Sequence, residues 1–274
     1  MAETTQVLTA DVKLFTRTWQ TTEPRAVIAL IHGFGEHSGR YAHVADFFNK
    51  NGFAVVAMDV RGHGLSEGKR GHTPRFETYL DDLAMFIDFV KTQFVGKPLF
   101  LYGHSMGGNL VLNYVLNRKT DGIAGVVATS PWTRLAFEPK PILITLGKMM
   151  RSIYPAFSQD SALNADHIST DPSVVAAYKA DPLVHSKITA SAGMGIKDAG
   201  EWLADFKGKM PIPTLIMHAG DDRLTSQPAS EAFAKQVSGD VTYRKWNGMF
   251  HEIHNEPDKL AVFNYTLGWL DSKI

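Results

Sequence analysis

The chain has 274 residues, 44% of them hydrophobic, which is enough apolar material for one α/β domain with a large core. Its 28 Lys and Arg residues balance its 28 Asp and Glu residues, so a net charge of zero gives no electrostatic reason to expect a nucleic-acid partner. The chain has no cysteine, which excludes disulfide bonds, thiolate metal sites and a cysteine nucleophile.

The N-terminal segment MAETTQVLTADVK lacks the basic start and the apolar stretch of a secretory signal. No later run approaches the ~18 consecutive apolar residues that indicate a membrane-spanning helix. We therefore expect a cytoplasmic protein whose contact with membranes, if any, is peripheral.

Apolar runs alternate with segments of helical periodicity, a pattern typical of a mostly parallel sheet with helices on both faces. The alternating start of the chain, about residues 6–19, predicts an antiparallel hairpin at the sheet edge. A helix with one buried face is predicted from Phe76 to Phe94, where apolar residues recur at helical spacing. Six further strands are predicted at 25–31, 53–58, 98–102, 123–129, 213–218 and 241–246.

One interval does not fit this alternation. The about eighty residues between strands 123–129 and 213–218 are far too many for an ordinary connection. They contain two helical patterns of their own, PILITLGKMM and PSVVAAYKA, separated by prolines. We therefore expect residues 132–208 to form a helical cap that is inserted into a core made of residues 1–131 and 209–274.

A serine lies between two glycines in the sequence Gly103-His104-Ser105-Met106-Gly107, after a predicted strand and before an apolar-periodic segment. A sharp strand-to-helix turn exposes such a serine at the carboxyl end of the sheet, and glycines on both sides avoid collisions with neighbouring elements. The same G-x-S-x-G pattern occurs around Ser66, so the pattern alone is weak evidence. Because KRGHTPR follows Ser66 and cannot form the apolar helix of an elbow, we select Ser105 as the nucleophile and assign Ser66 to a loop.

A serine nucleophile needs a base, which a carboxylate orients, and with a serine elbow the chain order is serine, acid, histidine. The segment HAGDDRLTS offers Asp222, with Asp221 as the fallback. The segment NGMFHEIHNE offers His251 in a loop and His254, which we expect to open the last helix. We assign Asp222 as the acid and His251 as the base.

The H-E-I-H run at residues 251–254 does not match the zinc-helix motif H-E-x-x-H, because its histidines are three residues apart instead of four. We expect no metal and no cofactor. Four other histidines are expected to be structural or exposed: His43, His72, His167 and His185.

The tetrahedral intermediate of such a reaction needs two N–H donors for its oxyanion. One is normally the backbone N–H of the residue after the nucleophile, here Met106. The H-G-F-G turn after the strand at 25–31 predicts the second donor, the backbone N–H of Phe34.

Several motifs resemble those of the monoacylglycerol lipase and lysophospholipase family of α/β-hydrolases, a group also called serine aminopeptidase-like. These motifs are IHGFGEHSGRY, AMDVRGHGLSEG, LYGHSMGG, ADPL, GDDRL and FHEIHNE. The similarity runs from about residue 12 to the C-terminus and is weakest in the cap. It implies an α/β-hydrolase fold with a mostly parallel eight-stranded sheet, helices on both faces and an inserted helical cap. It also implies the triad Ser105, Asp222 and His251 and the oxyanion donors Phe34 and Met106.

The resemblance further implies a substrate-binding set around a glycerol head or a small polar exit: Glu36, Arg40, His104, Tyr178 and His254. A structural role stays open for each of them, since Glu36 and Arg40 could brace a loop and His104 could fill the elbow. Phe34 replaces the smaller residue usual in animal members, and its side chain would narrow the acyl entrance.

The implied activity is hydrolysis of the carboxylic ester of a single-chain lipid, a monoacylglycerol or a lysophospholipid, through an acyl-enzyme that releases a fatty acid. Apolar cap residues suit an acyl chain and transient contact with a membrane surface, although packing between cap helices also explains them: Leu146, Met149, Met150, Ile153 and Phe157. The expected partner is a small lipid ester, and the oligomeric state stays open.

Other reactions use the same triad, so a short-chain carboxylesterase, an amidase or aminopeptidase and an acyltransferase stay open as alternatives. A non-catalytic receptor is not expected because all three triad residues are present. An epoxide or haloalkane hydrolase would need an aspartate in place of Ser105.

Overall fold

A computed structural model describes residues 2–9 and 11–274 of the chain. The strands are β1 (Ala2–Thr9), β2 (Lys13–Gln20), β3 (Ala26–Ile31), β4 (Phe53–Met58), β5 (Leu99–His104), β6 (Ile123–Thr129), β7 (Ser158–Asp160), β8 (Lys187–Thr189), β9 (Thr214–Ala219) and β10 (Val241–Trp246). The α-helices are α1 (Ala42–Lys50), α2 (Phe76–Gln93), α3 (Met106–Asn117), α4 (Pro141–Ile153), α5 (Pro172–Ala180), α6 (Ala190–Asp205), α7 (Gln227–Gln236) and α8 (Lys259–Asp271).

Eight strands form the central sheet in the order β1-β2-β4-β3-β5-β6-β9-β10. Strand β2 pairs antiparallel with both β1 and β4, and all other pairs are parallel. The predicted edge hairpin is thus confirmed, although it begins earlier than expected. The six other predicted strands are also confirmed, with ends that shift by at most two residues.

Strands β3, β4 and β5 are buried along their whole length, as their continuous apolar runs indicate. On β3, Val27 and Ile31 contribute to one hydrophobic cluster and Ile28 to a second. The first cluster includes residues of α2, α3 and α6, and the second includes residues of α1 and α8. Helices therefore cover both faces of the sheet, and burial of each large apolar side chain contributes about 1.5–3 kcal/mol.

The helix predicted from Phe76 to Phe94 is confirmed as α2. Its buried face includes Leu80, Leu83 and Ile87, while the two terminal phenylalanines are partly buried against the same cluster. Among the helices of the described residues, none combines the length and the apolar character needed to cross a bilayer.

The segment between β6 and β9 contains α4, β7, α5, β8 and α6, and it includes both of the helices predicted there. Strands β7 and β8 form a small antiparallel sheet of their own. Helix α6 packs against α3 through a buried face that includes Ile196 and Leu203, whereas α4 has no buried residue. A cap with the bounds 132–208 stays a prediction.

Candidate active site

Ser105 lies in the turn between β5 and α3, as the elbow interpretation predicts. Its φ of +53° and ψ of −113° are strained for a residue with a side chain. A Cβ atom at Gly103 would lie 2.2 Å from the carbonyl oxygen of Gly107, and one at Gly107 would lie 2.2 Å from that of Ile31. Gly103 therefore permits the close approach of α3 to the end of β5, and Gly107 permits that of α3 to the end of β3. The predicted strand–turn–helix context is confirmed, and the nucleophilic role of Ser105 stays a prediction.

Ser66, the other serine with the same local pattern, lies in a loop. Its hydroxyl donates to the backbone carbonyl of Asp59 and accepts a hydrogen bond from the backbone N–H of Phe15 at 2.8 Å. These bonds attach the loop to β2, and the interpretation of Ser66 as a loop residue is confirmed.

Asp222 and His251 form a buried pair after strands β9 and β10. The His251 Nδ1 atom lies 2.7 Å from the Asp222 Oδ2 atom, and neither side chain is exposed by more than 6%. The backbone N–H groups of Leu224 and Thr225 donate to Asp222 Oδ1 at 2.8 and 3.0 Å. The fallback residue, Asp221, is exposed to solvent. The structure thus brings Asp222, and not Asp221, to the histidine.

Burial alone would lower the pKa of His251, but the charge of Asp222 and its hydrogen bond outweigh burial and raise this pKa above its usual value. Burial alone would raise the pKa of Asp222, but His251 and a second imidazole hold it well below its usual value. Asp222 is therefore ionised at neutral pH. With Nδ1 of His251 bonded to Asp222, the Nε2 atom is left to accept a proton.

Ser105 and His251 line the same cavity, which has a volume of about 240 Å³. Within residues 2–9 and 11–274, no hydrogen bond joins the Ser105 hydroxyl to the imidazole. In proteins without substrate such bonds are often long and shorten when substrate binds.

The two predicted oxyanion donors flank Ser105. Met106 is the first residue of α3, where backbone N–H groups have no partner within the helix and the helix dipole favours negative charge. Phe34 follows β3 and lines the cavity together with Ser105. The N–H of the preceding residue, Gly33, donates to Glu36 Oε1 at 2.6 Å, which fixes the turn. The oxyanion role of both residues stays a prediction.

Glu36, His104 and Tyr178 line the cavity, as predicted for a substrate-binding set. The structure also shows that Glu36 braces its own loop: it accepts hydrogen bonds from Gly33, from the Tyr41 hydroxyl at 2.7 Å and from Arg40 at 2.5 Å. Both interpretations of Glu36, pocket wall and loop brace, therefore fit the geometry.

Arg40 lies behind the cavity and not on its surface. Its guanidinium binds both oxygens of Glu252 at 2.7 Å, also binds Glu36, and stacks 4.7 Å from the ring centre of Tyr178. These contacts make Arg40 a brace between the loops after β3 and β10. A direct contact of Arg40 with substrate stays a prediction that this arrangement does not favour.

His254 is fully buried behind the cavity, where its ring stacks on Tyr41 at 4.7 Å and packs edge-on against His104 at 4.7 Å. Neither of its ring nitrogens has a hydrogen-bond partner in the described part of the chain, and burial holds its pKa well below the usual value. The expectation that His254 opens the last helix is wrong, because α8 begins at Lys259. Pro257 disfavours helical backbone at the residue before it, so the helix starts only after the proline.

Three ligand-type side chains lie close together beside the cavity. Glu36, His104 and Glu252 each offer one ligand atom, and these atoms lie within 4.8 Å of one another. Arg40 forms ion pairs with both carboxylates, and all four of their oxygens already accept hydrogen bonds from Arg40, Gly33 or Tyr41. This donor set therefore fits an ion-pair network better than it fits a metal.

Comparison with known proteins identifies the family. Residues 22–258 match the family model described as serine aminopeptidase, S33. The chain belongs to this family. A monoacylglycerol lipase of Mycolicibacterium smegmatis is 34% identical over 92% of this chain and 90% of its own length. The phospholipase YtpA of Bacillus subtilis is 31% identical over 94% of this chain and 99% of its own length.

Another relative is longer. An abhydrolase domain-containing protein of Dictyostelium discoideum is 38% identical over 98% of this chain, and the chain spans 29% of that protein's length. Two solved structures of family relatives share the fold. A monoacylglycerol lipase of Paleococcus ferrophilus matches with a TM-score of 0.87 and 33% identity, over 95% of this chain and 99% of that one. A monoglyceride lipase of Saccharomyces cerevisiae, in complex with a substrate analogue, matches with a TM-score of 0.89 and 26% identity. The match covers 100% of this chain and 95% of that one. The predicted α/β-hydrolase fold and family resemblance are thus confirmed.

A second cavity of about 470 Å³ adjoins the first in this α/β-hydrolase, and Ser161 and Leu163 line both cavities. Its apolar lining residues include Trp132, Leu135, Leu143, Ile144, Ile188 and Met194. The lining comes from the loop after β6, from α4 and α6, from β7 and the residues after it, and from β8, so the region predicted as a cap contributes most of it.

His185 is expected from the sequence to be structural or exposed, and its hydrogen bond to the backbone carbonyl of Gly62 fits the structural role. His185 lines the cavity, and its ring lies 5.9 Å from that of Phe34 and 4.8 Å from that of His63. The family motif ADPL ends two residues before His185 and was the one signal that could have indicated this position.

Proposed function

We propose that this α/β-hydrolase cleaves the carboxylic ester of a single-chain lipid, a monoacylglycerol or a lysophospholipid, and releases a fatty acid. One observation carries the proposal: Ser105 and His251, which is paired with Asp222, line one cavity, and a larger cavity with many apolar side chains adjoins it. The names of the bacterial relatives, a monoacylglycerol lipase and a phospholipase, agree with this substrate class.

The proposed reaction begins when Nε2 of His251 accepts the hydroxyl proton of Ser105 and Oγ attacks the acyl carbonyl. The backbone N–H groups of Phe34 and Met106 stabilise the oxyanion. The His251 imidazolium then donates its proton to the leaving alkoxide, and an acyl-enzyme remains. Water, deprotonated by the same imidazole, attacks the acyl-enzyme and releases the fatty acid and Ser105. Asp222 fixes the tautomer and the orientation of His251 throughout.

The two cavities match the two ends of such a substrate. The cavity beside Ser105 has a polar wall that includes Glu36, His104 and Tyr178, and it suits a head group with hydroxyl groups. The larger cavity suits an acyl chain, and its volume falls in the range of about 300–1,000 Å³ typical of small-molecule sites.

We also propose that residues 132–208 act as a cap and that the cap brings the enzyme to lipid surfaces. On α4, Ile142, Met149 and Ile153 recur at helical spacing and are 73%, 50% and 73% exposed. Lys148 and Arg151 lie on the same helix, and α4 contains no acidic residue. An exposed apolar face with basic neighbours is typical of helices that lie in a membrane interface. We propose that the protein is cytoplasmic and associates with membranes peripherally.

The test is fatty-acid release from a matched panel of monoacylglycerols, lysophosphatidylcholines and short nitrophenyl esters, with Ser105→Ala as the control. We expect the highest turnover on a single-chain lipid and its loss in the Ser105→Ala variant. Activity confined to short esters would indicate a general carboxylesterase and contradict the lipid assignment. Serine-dependent activity only on amino-acid arylamides, or acyl transfer to an added alcohol in place of hydrolysis, would indicate an amidase or an acyltransferase instead.

A further inference from the structure

A second imidazole contacts the proposed catalytic acid. His218 lies on β9, four residues before Asp222, and both side chains are fully buried. The His218 Nε2 atom lies 3.1 Å from Asp222 Oδ2, the same oxygen that accepts from His251. His218 does not belong to the lining of the cavity around Ser105. Any effect of His218 on the reaction therefore passes through the residues that it contacts, Asp222 and Thr225, and not through substrate.

The surroundings of His218 define which nitrogen carries its proton. Near Nε2 lie two groups that can only accept, the Asp222 carboxylate at 3.1 Å and the backbone carbonyl of Thr225 at 3.3 Å, and the Thr225 hydroxyl at 3.4 Å. Nδ1 is buried and has no hydrogen-bond partner among the described residues. The proton therefore belongs on Nε2, where it faces both the Asp222 carboxylate and the Thr225 carbonyl.

The hydrogen bonds of Asp222 show what this donor adds. Oδ1 accepts from two backbone N–H groups, those of Leu224 and Thr225, and Oδ2 accepts from His251. The Thr225 hydroxyl lies 3.0 Å from Oδ2 but also 3.1 Å from the carbonyl of Ser130, and it can donate to only one of them. Without His218, the buried Oδ2 atom would lose the N–H group that faces it at 3.1 Å, and the negative charge of Asp222 would act more strongly on His251.

We propose that His218 is a positioning residue, which holds the Asp222 carboxylate in place and moderates its charge toward His251. This inference rests on the proposed function, because it assigns Asp222 and His251 their roles in ester hydrolysis. It adds a fourth side chain to the set that the reaction depends on.

The test compares His218→Asn with His218→Gln. Both side chains are amides, but only the longer glutamine places an N–H donor where Nε2 of the imidazole lies. For His218→Asn we expect kcat on a short nitrophenyl ester to fall about tenfold, with KM unchanged because His218 does not touch substrate. We expect the acidic limb of the kcat/KM profile to move up by about half a pH unit, since a less neutralised Asp222 favours protonated His251. In His218→Gln we expect the wild-type kcat and the wild-type position of the acidic limb.

Other charged or titratable groups near His251 also influence the pH at which the acidic limb of the kcat/KM profile lies. The groups that face His251 are Glu252 beside it, His104 at the end of β5, Glu36 after β3 and His254. All of them are retained in both variants, so a difference between the two limbs reports on the contact of residue 218 with Asp222. Met217→Leu, a change in the core packing of the same strand, serves as the control for general disturbance of β9 and is expected to leave the limb in place.

Four outcomes of these measurements support or overturn the positioning role of His218. A shifted limb in His218→Asn and a wild-type limb in His218→Gln support the proposal. Equal loss of kcat in both variants with unshifted limbs overturns it and leaves His218 a packing residue. If His218→Asn does not fold, as judged by its thermal transition, His218→Met, which has a length similar to glutamine but no N–H donor, takes its place: a shifted acidic limb supports the proposal, and an unshifted limb overturns it. A wild-type enzyme that is inactive on esters, or as active as Ser105→Ala, would contradict the proposed function and not this inference alone.

Discussion

At the scale of single residues, His251 determines how the reaction depends on pH. Asp222 raises the pKa of His251 above its ordinary value of about 6.5, and only the neutral imidazole can accept the proton of Ser105. We therefore expect kcat/KM to rise with pH through a midpoint above about 6.5. Asp222→Asn removes the charge that raises this pKa, so the midpoint should move down and kcat should fall by about 10,000-fold. Measurement of kcat/KM from acid to neutral pH checks both statements; a midpoint that stays in place would show that Asp222 does not set it.

The family resemblance implies that Arg40 binds substrate, whereas the structure shows it in ion pairs with Glu36 and Glu252. Its removal in Arg40→Ala leaves Glu36 and Glu252 as buried carboxylates without a cation, which should destabilise the fold by about 3–5 kcal/mol. Unfolding in urea measures the difference. Lys50→Ala removes an exposed ion pair with Asp46 and is the control, for which we expect little change. A stable Arg40→Ala protein with a raised KM would instead favour direct contact with substrate.

At the scale of secondary-structure elements, the turn between β5 and α3 requires glycine at position 107. The reason is the lack of space for a side chain and not an unusual backbone conformation. A Cβ at Gly107 would meet the backbone oxygens of Ile31 and His32 at 2.2 and 2.6 Å, and backbone atoms cannot rotate away. We expect Gly107→Ala to cost about 3 kcal/mol or more of unfolding free energy. Gly268 in α8 has open space around it, so Gly268→Ala should instead stabilise the protein by up to about 1 kcal/mol. Chemical denaturation of both variants measures the contrast.

The exposed apolar face of α4 is the surface that we propose contacts lipid. Replacement of Ile153 by Glu places a charge on this face and should weaken binding to anionic vesicles and turnover of vesicle-borne substrate. Turnover of a soluble short ester should not change, since Ile153 does not line either cavity. Val95→Glu is the matched control because Val95 is 81% exposed just after α2. Equal vesicle binding by the two variants would exclude α4 as the lipid contact.

The sheet was predictable from the sequence because strands buried on both faces need continuous apolar runs, as in β3 and β4. The site was predictable where a short motif fixes local geometry, as at Ser105 and Asp222. The parts of the site where side chains from distant segments meet were not predictable. The contact of Arg40 with Glu252 and that of His218 with Asp222 depend on loops whose paths the sequence pattern does not specify. The start of α8 at Lys259 follows from Pro257, which disfavours helical backbone at the residue before it, and not from the position of His254.

At the scale of the whole molecule, the proposed function requires the two cavities to act as one. The sheet positions Ser105 in the smaller cavity, and the segment between β6 and β9 supplies most of the larger one, so a long acyl chain must pass the residues common to both. Leu163 is one of them, and it is partly buried against the main hydrophobic cluster. A larger side chain there would separate the cavities while the residues around Ser105 stay in place.

We therefore expect Leu163→Trp to lower kcat/KM for long-chain monoacylglycerols by about tenfold or more and to leave short nitrophenyl esters within about twofold of wild type. Val95→Trp introduces the same side chain at an exposed position outside α4 that lines neither cavity, and it should change neither value. The measurement is a series of esters that differ only in acyl length, because a blocked passage predicts a break at the length at which the chain reaches residue 163. A uniform loss across the series would instead mean that the change distorts the site around Ser105, and the acyl chain would then have to follow another path out of the cavity.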